Sequence, residues 1–393
     1  MFNLKIGIDK ISFYTPSMYL DTGDLAIARG QEPGKFKIGI GQDKMAVVPK
    51  TQDAVTLAAN AALNILTEED IDAIDYVIFA TETGIDHSKA AAIYVHELLG
   101  LNEYARSIEL KQACYSGTAG IQMAKGHITL NPESKVLVLA SDISRYGLET
   151  GGEITQGAGA VAMLISRDPK IMTIENKSVY KTEDKMDFWR PLYSDEAYVH
   201  GKLSVTLYIK FFQDLFSAYQ DETKAEFKDF DALLFHMPYT KMGYKALTSV
   251  LDDAEEEDRE RLLTRFETGK YYNEVVGNIY TGALYLNLIS LLEKDSTLEA
   301  GATLGLFSYG SGAVGEFFTG VLQPNYREHL LTEQHSEMLN TREKVTVEKY
   351  EEIFSDVIPK GVGNIEFDVT NDPAAITITG IKNHMRQYKN HRK

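Results

Sequence analysis

Short, unbroken apolar runs alternate along this chain with segments whose apolar residues recur every three or four positions, the pattern of buried strands set between amphipathic helices. The runs are Asp75 through Thr81, Val136 through Ala140 and Ala160 through Ile165, then Asp231 through His236 and Thr303 through Ser308. Each is too continuous to present a wet face and suits a strand covered on both sides. Thr51 is placed to cap a helix showing Ala54, Leu57, Ala58, Ala61 and Ile65 on one face, and Thr67-Glu68-Glu69-Asp70 has the form of a capping box. Helix and buried strand in alternation predict a layered α/β fold.

The pattern occurs twice. The run from Asp231 echoes the run from Asp75, that from Thr303 echoes that from Val136, and Thr281 through Leu292 matches the helical stretch after Cys114. A length of 393 residues exceeds one core, so a duplicated unit is expected, with a first half over 1–167 and a second over 168–393. Between them Tyr208, Phe211, Phe212, Leu215, Phe216 and Tyr219 fall at helical spacing, a stripe read as packing. Phe188, Trp189 and Tyr198 are suited to a subunit contact or a pocket wall, and packing is the reading favoured.

Charge narrows the partners. A formal net charge of −17 argues against nucleic acid and anionic membranes, which would be repelled at long range. The acidic run Asp252 through Asp258 reads as a solvated helix face, and the basic end from Lys382 to Lys393 as an exposed tail. No apolar stretch has the length of a membrane span. The first residues, Met1-Phe2-Asn3-Leu4-Lys5-Ile6, lack the form of a signal peptide, which predicts a cytoplasmic protein.

Chemistry centres on Cys114, the single cysteine, in Gln112-Ala113-Cys114-Tyr115-Ser116-Gly117 at the start of a helical stretch. A thiol there feels the positive end of the helix dipole, which favours thiolate and makes a nucleophile; a small buried hydrophobe is the competing reading. Glu82 and His236 each follow a buried strand, and ligands in layered α/β folds collect at strand carboxyl ends. Thiol, carboxylate and imidazole make a coherent set of nucleophile, acid/base and hydrogen-bond donor. Metal chemistry is not expected: nine histidines form no HExxH motif and one cysteine makes no paired-thiolate site. Gly157-Ala158-Gly159 and Gly310-Ser311-Gly312 fit neither a Walker loop nor a dinucleotide fingerprint; close backbone approach suits them better.

Taken in order, Gly34 through Gln42, Thr81-Glu82-Thr83, Gln112 through Tyr115, Thr155 through Ala160, Gly201 through Ser204, His236 through Tyr239, Gly277 through Tyr280 and Phe307 through Gly312 resemble the hydroxymethylglutaryl-CoA synthase family, its bacterial branch in particular. The resemblance implies a thiolase-like fold, two pseudo-duplicated halves stacked as αβαβα layers and paired into a homodimer. It implies that Cys114 is acylated by acetyl-CoA, that Glu82 is the general acid/base and that His236 orients acetoacetyl-CoA. It further implies that Thr155, Ser204, Asn278 and Ser311 contact the acyl substrate, and that Lys241 and Lys245 meet coenzyme A phosphates. Gly151 stands at a substrate-side position where animal relatives carry a polar side chain. Coenzyme A thioesters are substrates in this chemistry, and no cofactor is expected. A ketoacyl synthase-like condensing enzyme would leave Glu82 unexplained, and a non-catalytic subunit of this fold would have no need of all three groups.

Overall fold

The computed structural model describes residues 4–392. Met1 to Asn3, part of the signal-peptide reading, and Lys393, the last residue of the expected tail, lie outside them.

Nine strands form one sheet. In spatial order they are Ala232–Phe235, Thr303–Gly310, Val314–Leu322, Met172–Thr182, Ile6–Tyr14, Ala158–Arg167, Lys135–Ile143, Ile74–Ala80 and Arg106–Leu110. Starting at Ile6–Tyr14 and moving toward Arg106–Leu110, successive pairings are antiparallel, antiparallel, parallel and parallel. Starting at Met172–Thr182 and moving the other way they are antiparallel, antiparallel and parallel. The second set thus repeats the first without its last strand, which is the duplication expected from the repeated apolar runs. The two sets are joined by a short antiparallel pairing, Gly7 with Thr173 and Ile8 with Met172.

Burial on both faces explains the runs. Val77 through Ala80, Val136 through Ala140 and Ala160 through Ile165 are fully buried, and each of their Val, Leu, Ile, Phe and Met side chains contributes about 1.5–3 kcal/mol relative to exposure. Helix Ala54–Leu63 covers one set and helix Gly201–Thr223 the other, while helices Ser116–Leu130 and Ala283–Lys294 meet between the sets. At that contact Thr118 Oγ1 and the Tyr285 hydroxyl are 2.7 Å apart. The result is the αβαβα layering.

The aromatic stripe packs as predicted: Tyr208, Phe211, Phe212, Leu215, Phe216 and Tyr219 are buried against Phe235, Phe307 and Phe317. The Thr67 capping box is present, with Asp70 as its return partner. Two expectations are corrected. Helix Ala54–Leu63 is capped by Asp53, which takes the Thr56 N–H at 3.0 Å; Thr51 instead donates to Asp372. The basic end is no tail but a hairpin of Ile376–Lys382 and Met385–Asn390, because Arg386 Nη1 and the Tyr388 hydroxyl both reach Asp53, at 2.8 and 2.7 Å. In the acidic run, Asp252 is exposed but Asp258 is buried against Arg261.

Candidate active site

Cys114 lies in the turn leading into helix Ser116–Leu130, and local bonds set its shape. The Gln112 N–H donates to Ser116 Oγ at 2.5 Å, and Ser116 Oγ donates to the Ala113 carbonyl at 3.0 Å. Ala113 carries a positive φ of 45°, a backbone state that costs a residue with a side chain of the order of 1 kcal/mol or more. The turn rests on the second half: Gly310 sits so close that a Cβ there would lie 2.7 Å from the Gln112 carbonyl oxygen and from Tyr115.

Glu82 follows strand Ile74–Ala80, and Cys114 Sγ donates to its Oε1 at 3.0 Å. Both residues are half-buried. Burial first, then the charge of Asp142, pushes the Glu82 carboxyl up to about 8. Burial and the neighbouring Glu82 push the Cys114 thiol well up too, which corrects the expectation of a resting thiolate. The helix dipole is outweighed first by burial and then by the carboxyls of Glu82, Asp142 and Asp187 near the sulfur. The thiol thus rests protonated in hydrogen-bond contact with Glu82, the carboxyl that takes its proton once it has itself ionised.

Asp142, near the end of strand Lys135–Ile143, accepts six hydrogen bonds. Its Oδ1 takes the Thr81 hydroxyl, the Glu82 N–H, and the Thr83 N–H and hydroxyl; its Oδ2 takes the Thr281 N–H and hydroxyl. Burial raises this carboxyl as well, but six donors hold its charge, so Glu82 is the member of the pair that keeps a proton.

His236 ends strand Ala232–Phe235 and is buried. Its N–H donates to the Phe307 carbonyl at 2.9 Å, and its own carbonyl accepts the Tyr208 hydroxyl at 2.5 Å. Burial pushes its imidazole down to about 3, so the ring is neutral at neutral pH. Nδ1 has no hydrogen-bond partner among the described residues, the condition of a group held for an absent oxygen or N–H. No hydrogen bond links His236 directly to Cys114 or Glu82 among the described residues. The connection runs along strand Thr303–Gly310: Phe307 holds His236, and Gly310, three residues on, meets the Cys114 turn.

The other candidates divide into two groups. Asn278 donates its N–H to the Thr155 carbonyl at 3.1 Å and holds the Tyr280 N–H at 2.9 Å, while its Nδ2 lies 3.4 Å from the Tyr146 hydroxyl. The Ser311 carbonyl accepts Gln112 Nε2 at 3.3 Å. These residues border the thiol site. Ser204 lies in the first turn of helix Gly201–Thr223, and Lys241 and Lys245 on helix Thr240–Thr248; among the described residues no hydrogen bond joins them to the thiol or to Glu82. Lys241 lies over the Tyr244 ring and Lys245 is exposed. Gly151 is exposed with open space where a side chain would stand.

Tertiary structure adds residues that the sequence reading passed over: Asp142, Tyr146, Asp187, Arg190, Tyr280 and Thr281. Tyr146 and Tyr280 feel the charges of Glu82 and Cys114, and Phe188 packs edge-on against both rings. Phe188 thereby walls the site, one of the two uses open to it. Asp142 carried a usable signal, since it follows a buried run just as Glu82 and His236 do.

Known proteins share this arrangement of strands. Residues 3–170 match the family described as hydroxymethylglutaryl-coenzyme A synthase N terminal, and 177–269 and 257–358 match its C-terminal counterpart. The chain is 50% identical to a hydroxymethylglutaryl-CoA synthase of Enterococcus faecalis, over 98% of this chain and 100% of that one. A crystal structure of HMG-CoA synthase complexed with CoA superposes with a TM-score of 0.95 at 43% identity, covering 98% of this chain and 100% of that one. For MvaS in complex with 3-hydroxy-3-methylglutaryl coenzyme A the TM-score is 0.91 at 33% identity, covering 99% and 100%. With matches to both family halves and half of its residues shared with a full-length relative, this chain belongs to the hydroxymethylglutaryl-CoA synthase family.

Proposed function

We propose that this enzyme condenses acetyl-CoA with acetoacetyl-CoA and water to give (3S)-3-hydroxy-3-methylglutaryl-CoA and CoA, the step that feeds the mevalonate route to isoprenoids. The 3.0 Å contact between Cys114 Sγ and Glu82 Oε1 carries the reading. Cys114 attacks the acetyl thioester as its proton passes to ionised Glu82; Glu82 hands that proton to the departing CoA sulfur, so CoA leaves as the thiol and Glu82 is again a base. One thioester replaces another, so the acyl group stays reactive.

Glu82 then removes a proton from the acetyl methyl group, and the carbanion adds to the C3 ketone of acetoacetyl-CoA. A carboxyl whose proton affinity is raised by burial is a stronger base than a solvated one, which a weak carbon acid requires. Neutral His236 donates a hydrogen bond to the acceptor carbonyl, and Glu82 returns the proton to the new alkoxide. Water finally hydrolyses the enzyme thioester. The Cys114 N–H is the donor proposed for the oxyanion, because the Gly312 N–H beside Ser311 is committed to Asp187 at 3.0 Å. No step changes an oxidation state, so no redox cofactor is called for.

Asn278, Thr155 and Ser311 are assigned to the acyl groups, with Ser204 and the open surface at Gly151 on the substrate side. Lys241 and Lys245 are assigned to the coenzyme A phosphates. They stand beside the π-helical turn Lys35–Ile40, tied to it where the Thr240 hydroxyl meets the Gly41 carbonyl at 2.5 Å; such turns recur at functional sites.

A homodimer is part of the proposal. The sheet ends at Arg106–Leu110, whose outer edge pairs with no other strand among the described residues, where the Ser107 hydroxyl is also buried without a partner. A second edge strand would supply one. No described helix is long and apolar enough to cross a membrane; action on free CoA thioesters places the enzyme in the cytoplasm in this reading.

The test is mass spectrometry after mixing with acetyl-CoA alone, then with acetoacetyl-CoA. Acetyl on Cys114, followed by its loss with formation of hydroxymethylglutaryl-CoA, is expected. An enzyme that never carries acetyl on Cys114 overturns the reading.

A further inference from the structure

Between the two halves of the site runs a strap, residues 187–200, whose short strands Phe188–Trp189 and Tyr198–Val199 pair with each other. Its start is fixed to the second half: buried Asp187 takes the Gly312 N–H and the Tyr309 hydroxyl, each at 3.0 Å. Its middle reaches the first half, where Arg190 Nη2 donates to the Glu82 carbonyl oxygen. Phe188 fills the space between, against Tyr146 and Tyr280.

The groups facing the thiol and Glu82 are mostly acidic; the other cation near Arg190 is Arg145, which is turned to the Phe354 ring and carbonyl. Glu82 is faced by Cys114 from the turn before helix Ser116–Leu130, by Asp142 from strand Lys135–Ile143, by Tyr146 after that strand, and by Tyr280 from the turn Tyr280–Gly282. Asp187 faces Cys114 from the strap, and Glu109 faces Asp142 from strand Arg106–Leu110. Against these stands Arg190, which makes no ion pair within 4.0 Å among the described residues, so its charge is not spent on a surface partner.

We propose that Arg190 is a positioning residue for Glu82, anchoring the loop that carries the carboxylate and supplying the positive charge that lets it ionise beside Asp142. The direction of its effect is consistent: the Arg190 charge lowers the proton affinity of Glu82, opposing burial and Asp142. Without it Glu82 holds its proton to higher pH and is a base over a narrower range. The proposal rests on the condensation reading.

Two variants separate charge from anchoring. Arg190→Gln keeps an N–H donor and removes the charge; Arg190→Lys keeps the charge and removes the fork. The measurement is the pH profile of kcat/KM with acetyl-CoA, whose acid limb reports the free enzyme's base. Arg190→Gln is expected to move that limb up by about one pH unit and to cut kcat/KM about tenfold below the limb, with recovery at high pH. Arg190→Lys is expected to keep the wild-type limb at a lower plateau. A limb unmoved in a folded Arg190→Gln enzyme, or moved equally in Arg190→Lys, overturns the proposal. Failure of the condensation reading shows separately, as wild-type enzyme that acquires no acetyl group on Cys114.

Discussion

Asp142 bridges to Thr281, taking its hydroxyl at 2.6 Å and its N–H at 3.1 Å on one carboxylate oxygen while the other oxygen holds the Glu82 N–H at 2.7 Å. Thr281 follows Asn278 and Tyr280 in the second half, and Glu82 belongs to the first. One buried charge therefore fixes the base against the substrate-side residues of the opposite half. Hydrogen bonds to a charged group contribute about 1.5–3 kcal/mol each, enough to hold the loop Thr81 to Thr83 in one place.

Asp142→Asn loses that clamp. The amide NH2 cannot accept from Thr281 or the Thr81–Thr83 loop, so thermal unfolding should show a loss of about 1–3 kcal/mol. Removing the neighbouring negative charge also lowers the Glu82 pKa from about 8, so the acid limb of the rate profile moves to lower pH even as the plateau falls. A limb that stays in place would show that Asp142 does not act on Glu82 by charge.

Glu82→Gln and Cys114→Ala should part at the acylation step. Glu82 raises the thiol by charge and by hydrogen bonding, so Glu82→Gln lowers the thiol pKa, and alkylation by iodoacetamide then begins at lower pH than in wild type. This variant should still take acetyl from acetyl-CoA yet lose condensation by about 10²-fold or more. Cys114→Ala should take none; acetyl found on protein lacking the thiol refutes the nucleophile.

Glu82 also costs stability, and the sign follows from linkage. Its folded pKa of about 8 lies above the ordinary glutamate value of 4.5. Between these values the folded state holds a proton that the unfolded chain has released, so this group's contribution falls as pH rises through the window. Glu82→Gln should therefore raise Tm, with an advantage that grows from pH 5 to 8 and reaches on the order of 1–3 kcal/mol. Equal Tm at both pH values would contradict the raised pKa.

Gly277 has φ of 92°, and a Cβ there would lie 2.2 Å from the Gln156 carbonyl oxygen. Gly277→Ala should cost about 1–3 kcal/mol through strain and close contact. Because Asn278 is the next residue, KM for the acyl substrate should rise along with the loss of stability. An unchanged Tm would mean that the backbone at Gln156 yields freely.

Much was legible in the sequence because some physical signals are local. A run such as Val136 through Ala140 can bury both faces only inside a covered sheet, whatever the rest of the chain does, and its repetition from Thr303 announced the second half. Strands Ile6–Tyr14, Met172–Thr182 and Val314–Leu322 gave weaker signals, since they mix polar residues such as Lys10, Lys177 and Glu316 into the run. The hairpin at the C-terminal end escaped because the bonds that hold it, from Arg386 and Tyr388 to Asp53, join residues more than 300 positions apart; the Asp53 cap itself is a local bond to Thr56, and it was Thr51 that proved to be engaged elsewhere, with Asp372.

By itself, the sequence determined the layered α/β class, the duplicated pattern and the three chemically apt side chains, because burial periodicity and side-chain chemistry are properties of short segments. Only the tertiary structure decided that Cys114 rests as a thiol. Its proton affinity depends on Glu82, Asp142 and Asp187, carboxylates drawn from three distant segments, and charge acts through space rather than along the chain.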